Sequence, residues 1–216
     1  MQPQMYLECK DQKVFVVNPS IRAATPGGVQ PSVNTLARSV GPGGISLDGY
    51  AGYRATWPIK NGAIGAGDFT LGVVVELTNV DTNSYSYAIG SDVTYFALST
   101  RHSAIGNNCG LILGSSAVWI NTGISCSSKG MYRIIFSRVD GTVYWNINGE
   151  RGSVANSTII PTVSTLALSG YDTTGNVGGG SAAWPNKYYQ LLFDRRGWSQ
   201  MEMAAWVNNP WQIFAP

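Results

Sequence analysis

From residue 132 onward, short apolar segments alternate with tight-turn dipeptides, and this pattern constrains the fold more than any other feature. Residues 132–138 lead into Asp140-Gly141, and residues 142–147 lead into Asn148-Gly149. Asp-Gly and Asn-Gly favour two-residue turns because these residues tolerate positive φ, so the strands beside them form antiparallel hairpins. Residues 188–193 predict a further strand. This part of the chain therefore predicts an antiparallel meander, and it contains nothing that resembles a catalytic apparatus.

The rest of the chain continues the β pattern. Residues 68–77 are nearly continuous apolar and β-branched, which predicts a strand buried in the centre of a sandwich. Further strands are predicted at residues 13–17, 44–50, 85–89, 94–99, 110–113, 117–121 and 165–169. Roughly a dozen short strands with turns between them predict an all-β fold, a two-sheet antiparallel β-sandwich or jelly roll.

One short C-terminal helix is predicted to dock on this sandwich. Ser199 and Glu202 have the spacing of a capping box, in which each side chain bonds the other residue's backbone N–H. Pro210 ends the helix because proline disfavours helical backbone in the residue before it. The predicted apolar face consists of Met203, Trp206 and Val207.

The domain boundary is predicted at residue 40. Residues 1–40 contain one strand and a Pro- and Gly-bearing stretch, which indicates an arm or strap packed on, or projecting from, the domain formed by residues 41–216. Such an arm could contact another subunit or could be a wrapped edge strand, and the sequence favours neither.

Charge is sparse, and this limits the partners. Asp, Glu, Lys and Arg make up 12% of the chain, with a net charge of +2, against about 25% in typical soluble domains. Nucleic acid is not an expected partner because phosphate binding needs clustered Lys and Arg. No apolar run approaches the ~20 residues that span a bilayer, so membrane insertion is not expected. Residues 1–10 lack a signal-peptide pattern, which predicts synthesis in the cytoplasm. The neutral polar surface suits packing against neighbours or binding of uncharged sugars.

The three cysteines, Cys9, Cys109 and Cys126, are widely spaced and include no C-x-x-C pair. A disulfide framework or a zinc site is therefore not predicted. Cys109 and Cys126 could pair if they lay on adjacent strands, but buried free thiols are the favoured interpretation.

Three segments carry a resemblance to a known family. Residues 44–50 with 68–77, the hairpin at 132–151 and the helix region at 194–207 resemble the concanavalin A-like lectin/glucanase superfamily, and within it the laminin G-type modules. The ending Asn209-Pro210-Trp211-Gln212-Ile213-Phe214-Ala215-Pro216 is similar to the tail of laminin G-like proteins of tailed bacteriophages. The resemblance covers residues 41–216 and implies a structural protein of a phage virion.

An enzyme is not predicted. The sandwich hydrolases of this superfamily carry an E-x-D-x-E pattern on one strand, and the acidic residues here are scattered singly. His102 is the single histidine of the sequence, and no G-x-S-x-G motif accompanies it. It is predicted to be an exposed loop residue.

No cofactor is predicted, although the resemblance leaves calcium open because many lectins hold this ion at the rim of the sandwich. Asp172 and Asn176, in the long loop at residues 170–184, are the weak metal candidates. One carboxylate among amides is a thin set of calcium ligands.

A sugar site needs an aromatic platform and planar polar groups, because a pyranose has an apolar face and a ring of hydroxyls. The loops around residues 100–110 and 170–189 supply both kinds of side chain. The predicted ligand-binding residues are Trp184, Tyr188, Asp172, Asn176, Arg101, Asn107 and Asn108.

The resulting hypothesis is a non-enzymatic virion protein that mediates adhesion at a tail tip, fibre or baseplate, with a host-surface glycan or receptor as target. The alternative is a decoration or minor capsid protein that binds other virion subunits. A polysaccharide-degrading enzyme is the third hypothesis. Either structural role suits a homo-oligomer, and a trimer is the expected state.

Overall fold

The computed structural model describes residues 65–78, 85–91, 96–114, 116–163, 165–168 and 187–210, together with the backbone of six strands between residues 5 and 58. The strands are β1 Met5–Lys10, β2 Lys13–Val17, β3 Gln30–Pro31, β4 Ala37–Gly41, β5 Gly44–Leu47, β6 Ala55–Pro58, β7 Phe69–Leu77, β8 Tyr85–Ser91, β9 Phe96–His102, β10 Asn108–Leu113, β11 Val118–Asn121, β12 Gly130–Val139, β13 Thr142–Ile147, β14 Glu150–Ala155, β15 Thr165–Leu168 and β16 Lys187–Asp194. One helix, α1, spans Gln200–Asn208.

Within the described residues the strands form two antiparallel sheets, which confirms the predicted all-β fold. The first sheet has the order β14-β13-β12-β7-β16-β1-β2, with β5 also paired to β16 and β4 to β5. The second sheet has the order β11-β10-β9-β8-β15-β6-β3. Hydrophobic side chains from both sheets form one continuous cluster, the core of a β-sandwich.

Strand β7 is central to the first sheet, as its unbroken apolar sequence predicted. It pairs with β12 on one side and β16 on the other, and eight of its nine residues are buried. Across the core, the Phe96 ring makes edge contacts with Phe69 at 5.4 Å and with Phe193 at 6.3 Å. Aromatic pairs of this geometry add to the stabilisation from burial alone.

Helix α1 packs on the outer face of the first sheet, and both halves of its predicted capping box are present. Ser199 Oγ accepts from Glu202 N at 3.3 Å, and Glu202 Oε2 accepts from Ser199 N at 2.7 Å. The predicted apolar face is confirmed, because a second hydrophobic cluster joins the helix to the sheet. That cluster contains Val74, Ile135, Leu192, Trp198, Met203, Trp206 and Val207. A Cβ at Gly72 would lie 3.3 Å from Trp206 Cη2, so the absence of a side chain there permits this close packing.

Both predicted hairpin turns have left-handed backbone at their two central residues, with φ of 47° and 72° at Asp140 and Gly141 and 50° and 101° at Asn148 and Gly149. The Asn148 amide also holds strand β12, since its Oδ1 accepts from Arg133 N at 2.8 Å and its Nδ2 donates to the Met131 carbonyl at 3.1 Å. The turn residues thus fix the register of β12, β13 and β14.

Part of the predicted arm belongs to the sheet. Strand β2 is the predicted strand at residues 13–17, and it pairs with β1, which in turn pairs with β16. The sequence pattern did not indicate β1, β3, β4, β6 or β14, so the expectation of one strand in residues 1–40 is wrong. Contact of residues 1–40 with another subunit stays one of the two alternatives, and residues 211–216 lie outside the described part of the chain.

Arg138 is fully buried and ties two loops to the end of the sandwich. Its guanidinium donates to the carbonyls of Gly67 and Gly65, both at 2.9 Å, and of Thr158 at 2.6 Å. The charged group also lies 5.1 Å from the centre of the Phe69 ring. Burial lowers the pKa of Arg138, and the nearby Asp68 opposes that shift. Hydrogen bonds to several carbonyls offset the cost of removing this charge from water.

We expect Arg138→Lys to lower the free energy of unfolding by about 2–4 kcal/mol, because a lysine ammonium cannot span three carbonyls held by a planar fork. Urea denaturation followed by tryptophan fluorescence measures the change. The matched control is Arg151→Lys on the exposed strand β14, which should alter stability by less than about 0.5 kcal/mol. Equal effects of the two substitutions would contradict the role assigned to Arg138.

Candidate functional site

Three of the sequence-predicted ligand residues lie at one corner of the second sheet. After β9 the chain forms a short 3₁₀ turn, Ser103–Ile105, and reverses through Gly106 and Asn107, which have left-handed φ of 68° and 63°. This reversal brings Asn107 Oδ1 to 3.4 Å from Arg101 Nε, which donates to it. Asn108 then begins β10 beside them.

A second amide pair extends this corner to the edge strand β11. Asn108 Nδ2 donates to Asn121 Oδ1 at 3.2 Å, and Gly123 N donates to the same oxygen at 2.9 Å. Asn121 is exposed and Asn108 is half-buried. Within the described part of the chain, Asn121 Nδ2 and Asn108 Oδ1 make no hydrogen bond. Each amide is therefore held in place through one atom while the other remains available to a ligand.

An aromatic stack borders these amides. The ring of Trp119, on β11, lies 3.9 Å from the His102 ring at an angle of 35°, and Tyr87 lies 5.9 Å from His102 on the other side. Trp119 and Tyr87 are half-buried. The outer-face patch, defined as Tyr87, His102, Asn108, Trp119 and Asn121, thus combines aromatic rings with planar amides. Arg101 and Asn107 lie beside it, next in sequence to His102 and Asn108.

The prediction that His102 is an exposed loop residue is wrong. His102 is the last residue of β9, its side chain is 7% exposed, and the neighbouring rings cover it. Its Nδ1 accepts from Ala104 N at 3.0 Å, which leaves the proton of the neutral ring on Nε2. Burial lowers the pKa of His102 to about 4, so the imidazole is neutral at pH 7.

Sequence reasoning missed Trp119 and Asn121 as site residues, although the alternation in β11 contains the signal. Ile120 is buried in the core, and successive side chains of a strand point to opposite faces. Trp119 and Asn121 must therefore share the outer face of the sheet. Applied to the predicted strand at residues 117–121, this argument places a tryptophan beside an asparagine.

The other predicted ligand residues are not brought into this patch by the described structure. The Tyr188 side chain is fully buried in the core between the sheets, so its ring does not lie at a surface where a sugar could stack on it. Trp184, Asp172 and Asn176 lie outside the described residues, and the calcium site suggested for the last two stays a prediction. Among the described side chains, no group of three or more His, Cys, Asp or Glu residues could hold a metal ion.

A separate cleft of about 300 Å³ lies on the first sheet at the end of α1. It is lined by Met131, Arg133, Asn148, Val207 and Asn208. Arg133 Nη1 donates to the carbonyls of Val207 at 2.8 Å and Asn208 at 3.3 Å. A cation at this position compensates the negative end of the helix dipole, so this arginine has a structural role.

The sequence matches no protein-family model and no curated protein. Solved structures do match the fold. A Trypanosoma rangeli sialidase in complex with sialic acid aligns with a TM-score of 0.64 and 15% identity, over 98% of this chain and 33% of the sialidase chain. The binding domain of botulinum neurotoxin serotype D aligns with a TM-score of 0.63 and 12% identity, over 95% of this chain and 51% of that chain.

At such low identity these likenesses show the fold alone. The chain spans about a third of the sialidase and about half of the toxin domain. Both neighbours agree with the β-sandwich part of the predicted resemblance, and neither links the chain to a phage particle. No helix in the described residues is long and apolar enough to cross a membrane.

The lowered pKa of His102 predicts a loss of stability in acid. The unfolded chain, with a histidine pKa near 6.5, binds a proton more readily than the folded chain, with a pKa of about 4. Protonation therefore favours unfolding as the pH falls from about 6.5 to about 4, and the effect levels off below that range. We expect His102→Gln to remove about 1–2 kcal/mol of this acid destabilisation. Thermal unfolding of both proteins at pH 7 and pH 4.5 measures the difference, and parallel losses in the two proteins would contradict the assignment.

Proposed function

We propose that this chain is a non-enzymatic, carbohydrate-binding β-sandwich and that it binds a neutral glycan at the outer-face patch. The observation that carries the proposal is the half-buried Trp119 flanked by the ordered amides of Asn108 and Asn121. An aromatic face is complementary to the apolar face of a pyranose, and amides bond the hydroxyls at its rim.

The patch is held in its binding geometry before any ligand arrives. Trp119 is fixed against His102, and Asn121 Oδ1 is fixed by two donors. A site that needs little ordering keeps more of its interaction energy as affinity. The neutral His102 ring and the low charge of the chain suit an uncharged ligand.

The two neighbouring structures support the general part of the proposal, that this chain binds a carbohydrate. One is a sialidase in complex with sialic acid, and the other is described as the binding domain of a neurotoxin. Neither likeness transfers a particular sugar or an activity to this chain, because the identity is low and each neighbour is much longer than the aligned part.

The positions of the described carboxylates support a non-enzymatic role. Glu76 accepts from the Tyr189 hydroxyl at 2.7 Å, and Asp194 accepts from Trp198 Nε1 at 2.9 Å. Glu202 caps α1. These three groups lie on the first sheet or its helix, away from the outer-face patch. Glycoside hydrolysis needs two carboxyl groups facing one bond, and the patch as described supplies none.

The finer proposal is that the sandwich belongs to a tailed-phage virion and mediates adhesion at a tail tip, fibre or baseplate as a homo-oligomer. It is supported by the sequence of residues 209–216, which resembles the ending of phage laminin G-like proteins. The calcium ion that the resemblance leaves open would be held at the rim of the sandwich by Asp172 and Asn176 in the loop at 170–184.

We expect Trp119→Ala to weaken glycan binding at least tenfold, about 1.4 kcal/mol or more, because it removes the aromatic platform. A glycan array identifies a ligand, and titration calorimetry then measures the affinity of each variant. Val118→Ala is the matched control, since Val118 is 37% exposed on the same edge strand and its side chain points away from the patch. Both truncations remove some packing, so each affinity is measured at a temperature at which thermal unfolding shows the variant to be folded.

Trp184→Ala tests the other loop. Loss of binding in this variant, with full binding by Trp119→Ala, would move the site to residues 170–189 and overturn the assignment to the outer-face patch.

The virion proposal predicts that antibodies against the protein label purified particles at the tail end in immunogold electron microscopy. It also predicts that the recombinant protein binds host cells. Label over the head without cell binding would make the chain a decoration or minor capsid protein, and absence of label from particles would refute a virion role.

A further inference from the structure

Cys109 and Cys126 lie close together inside the core, because β10, which carries Cys109, pairs with β11, which precedes Cys126. Cys109 is on β10 and has no exposed surface, and Cys126 lies between β11 and β12 and is 5% exposed. Both are free thiols in the same hydrophobic cluster, and burial together with the neighbouring Cys126 thiol raises the pKa of the Cys109 thiol.

Backbone hydrogen bonds hold the two segments side by side. Cys109 N donates to the Ile124 carbonyl at 2.7 Å, and Thr122 donates to the Cys109 carbonyl through its N at 3.3 Å and its Oγ1 at 2.7 Å. Ile124 N also donates to Thr122 Oγ1 at 3.2 Å. The backbone therefore keeps the segment that leads to Cys126 beside Cys109 on β10.

The segment that carries Cys126 buries few of its side chains. Of residues 122–129, Cys126 is the buried one, Ile124 packs partly against the core, and most of the rest are exposed. A covalent bond at Cys126 would fasten this segment to β10, the strand next to the edge strand β11.

We propose that Cys109 and Cys126 are a latent disulfide site, which closes when the folded protein meets a low-molecular-weight disulfide and fastens residues 122–129 to β10. This proposal does not rest on the proposed glycan binding. It makes the protein more stable in an oxidising compartment than in a reducing one, with no change in fold.

The chemistry is a thiol–disulfide exchange in two steps. The Cys126 thiolate, nearer the surface, attacks one sulfur of oxidised glutathione, forms a mixed disulfide and releases one glutathione thiolate. The Cys109 thiolate then attacks the Cys126 sulfur and releases the second glutathione. Two thiols are oxidised to one protein disulfide, one glutathione disulfide is reduced, and each thiol gives its proton to solvent. Burial raises the pKa of the Cys109 thiol, so the second step is slow and is faster at alkaline pH.

The test uses the full chain with Cys9→Ser, so that Cys109 and Cys126 are the remaining cysteines. The protein is equilibrated with oxidised glutathione at pH 8.5, quenched with acid, denatured and alkylated. Intact mass and peptide mapping should show loss of two hydrogens, no alkylation and a Cys109–Cys126 crosslink. Closing a loop of about 17 residues should raise the melting temperature by about 6–12 °C, reversibly with dithiothreitol.

The control protein carries Cys9→Ser with Cys126→Ala, and it should show no shift in melting temperature on oxidation. If that variant does not fold, Cys9→Ser with Cys109→Ala serves the same purpose. Two alkylated thiols after oxidation, a stable glutathione adduct at Cys126, or a crosslink that lowers the melting temperature would each overturn the proposal.

Discussion

The buried guanidinium of Arg138 is the contact on which the end of the sandwich depends. It binds the carbonyls of Gly65 and Gly67 immediately before the central strand β7, and the Thr158 carbonyl after β14. Gly65 and Ile160 also pair here through their backbones, since the N–H of each donates to the carbonyl of the other. A charge on β12 thus aligns segments that are far apart in sequence, and the central strand enters the sheet at a fixed position. An apolar side chain could fill this space, but it could not satisfy three carbonyls.

The two outer faces of the sandwich differ because α1 covers one of them. Under the helix, Gly72 and the apolar residues of β7, β12 and β16 meet Trp206 and its neighbours. On the other sheet, the described residues of β9, β10 and β11 present Trp119 and the amides. The proposed glycan site therefore rests on a hydrogen-bonded sheet whose inner face is core, and this gives its side chains a rigid support.

The sequence predicted those elements of the fold that depend on residues close to one another in the chain. The turns at 140–141 and 148–149, the central strand at 68–77 and the capping box of Ser199 appear in the structure because each depends on residues close in sequence. The strands β1 and β14 were missed because β1 depends on pairing with β16, and the Glu150–Ala155 segment lacks an apolar alternation. The burial of His102 was missed for a related reason, since the ring that covers it comes from another strand. Arg101, Asn107 and Asn108 lie close together because a single turn joins them, which the sequence shows, while the position of Trp119 and Asn121 depends also on which face of β11 they occupy.

Helix α1 and Trp119 lie on opposite outer faces of the sandwich, so the two sides of the molecule present different surfaces. The exposed residues of the helix are Gln200, Met201, Ala205 and Asn208, so a neighbour that approached there would meet the helix and no open sheet. Chains fixed to any support through the helix side would all direct Trp119 the same way. In a layer of such chains, every outer-face patch would therefore face the same opposing surface. Many weak contacts made at once would then give strong binding overall.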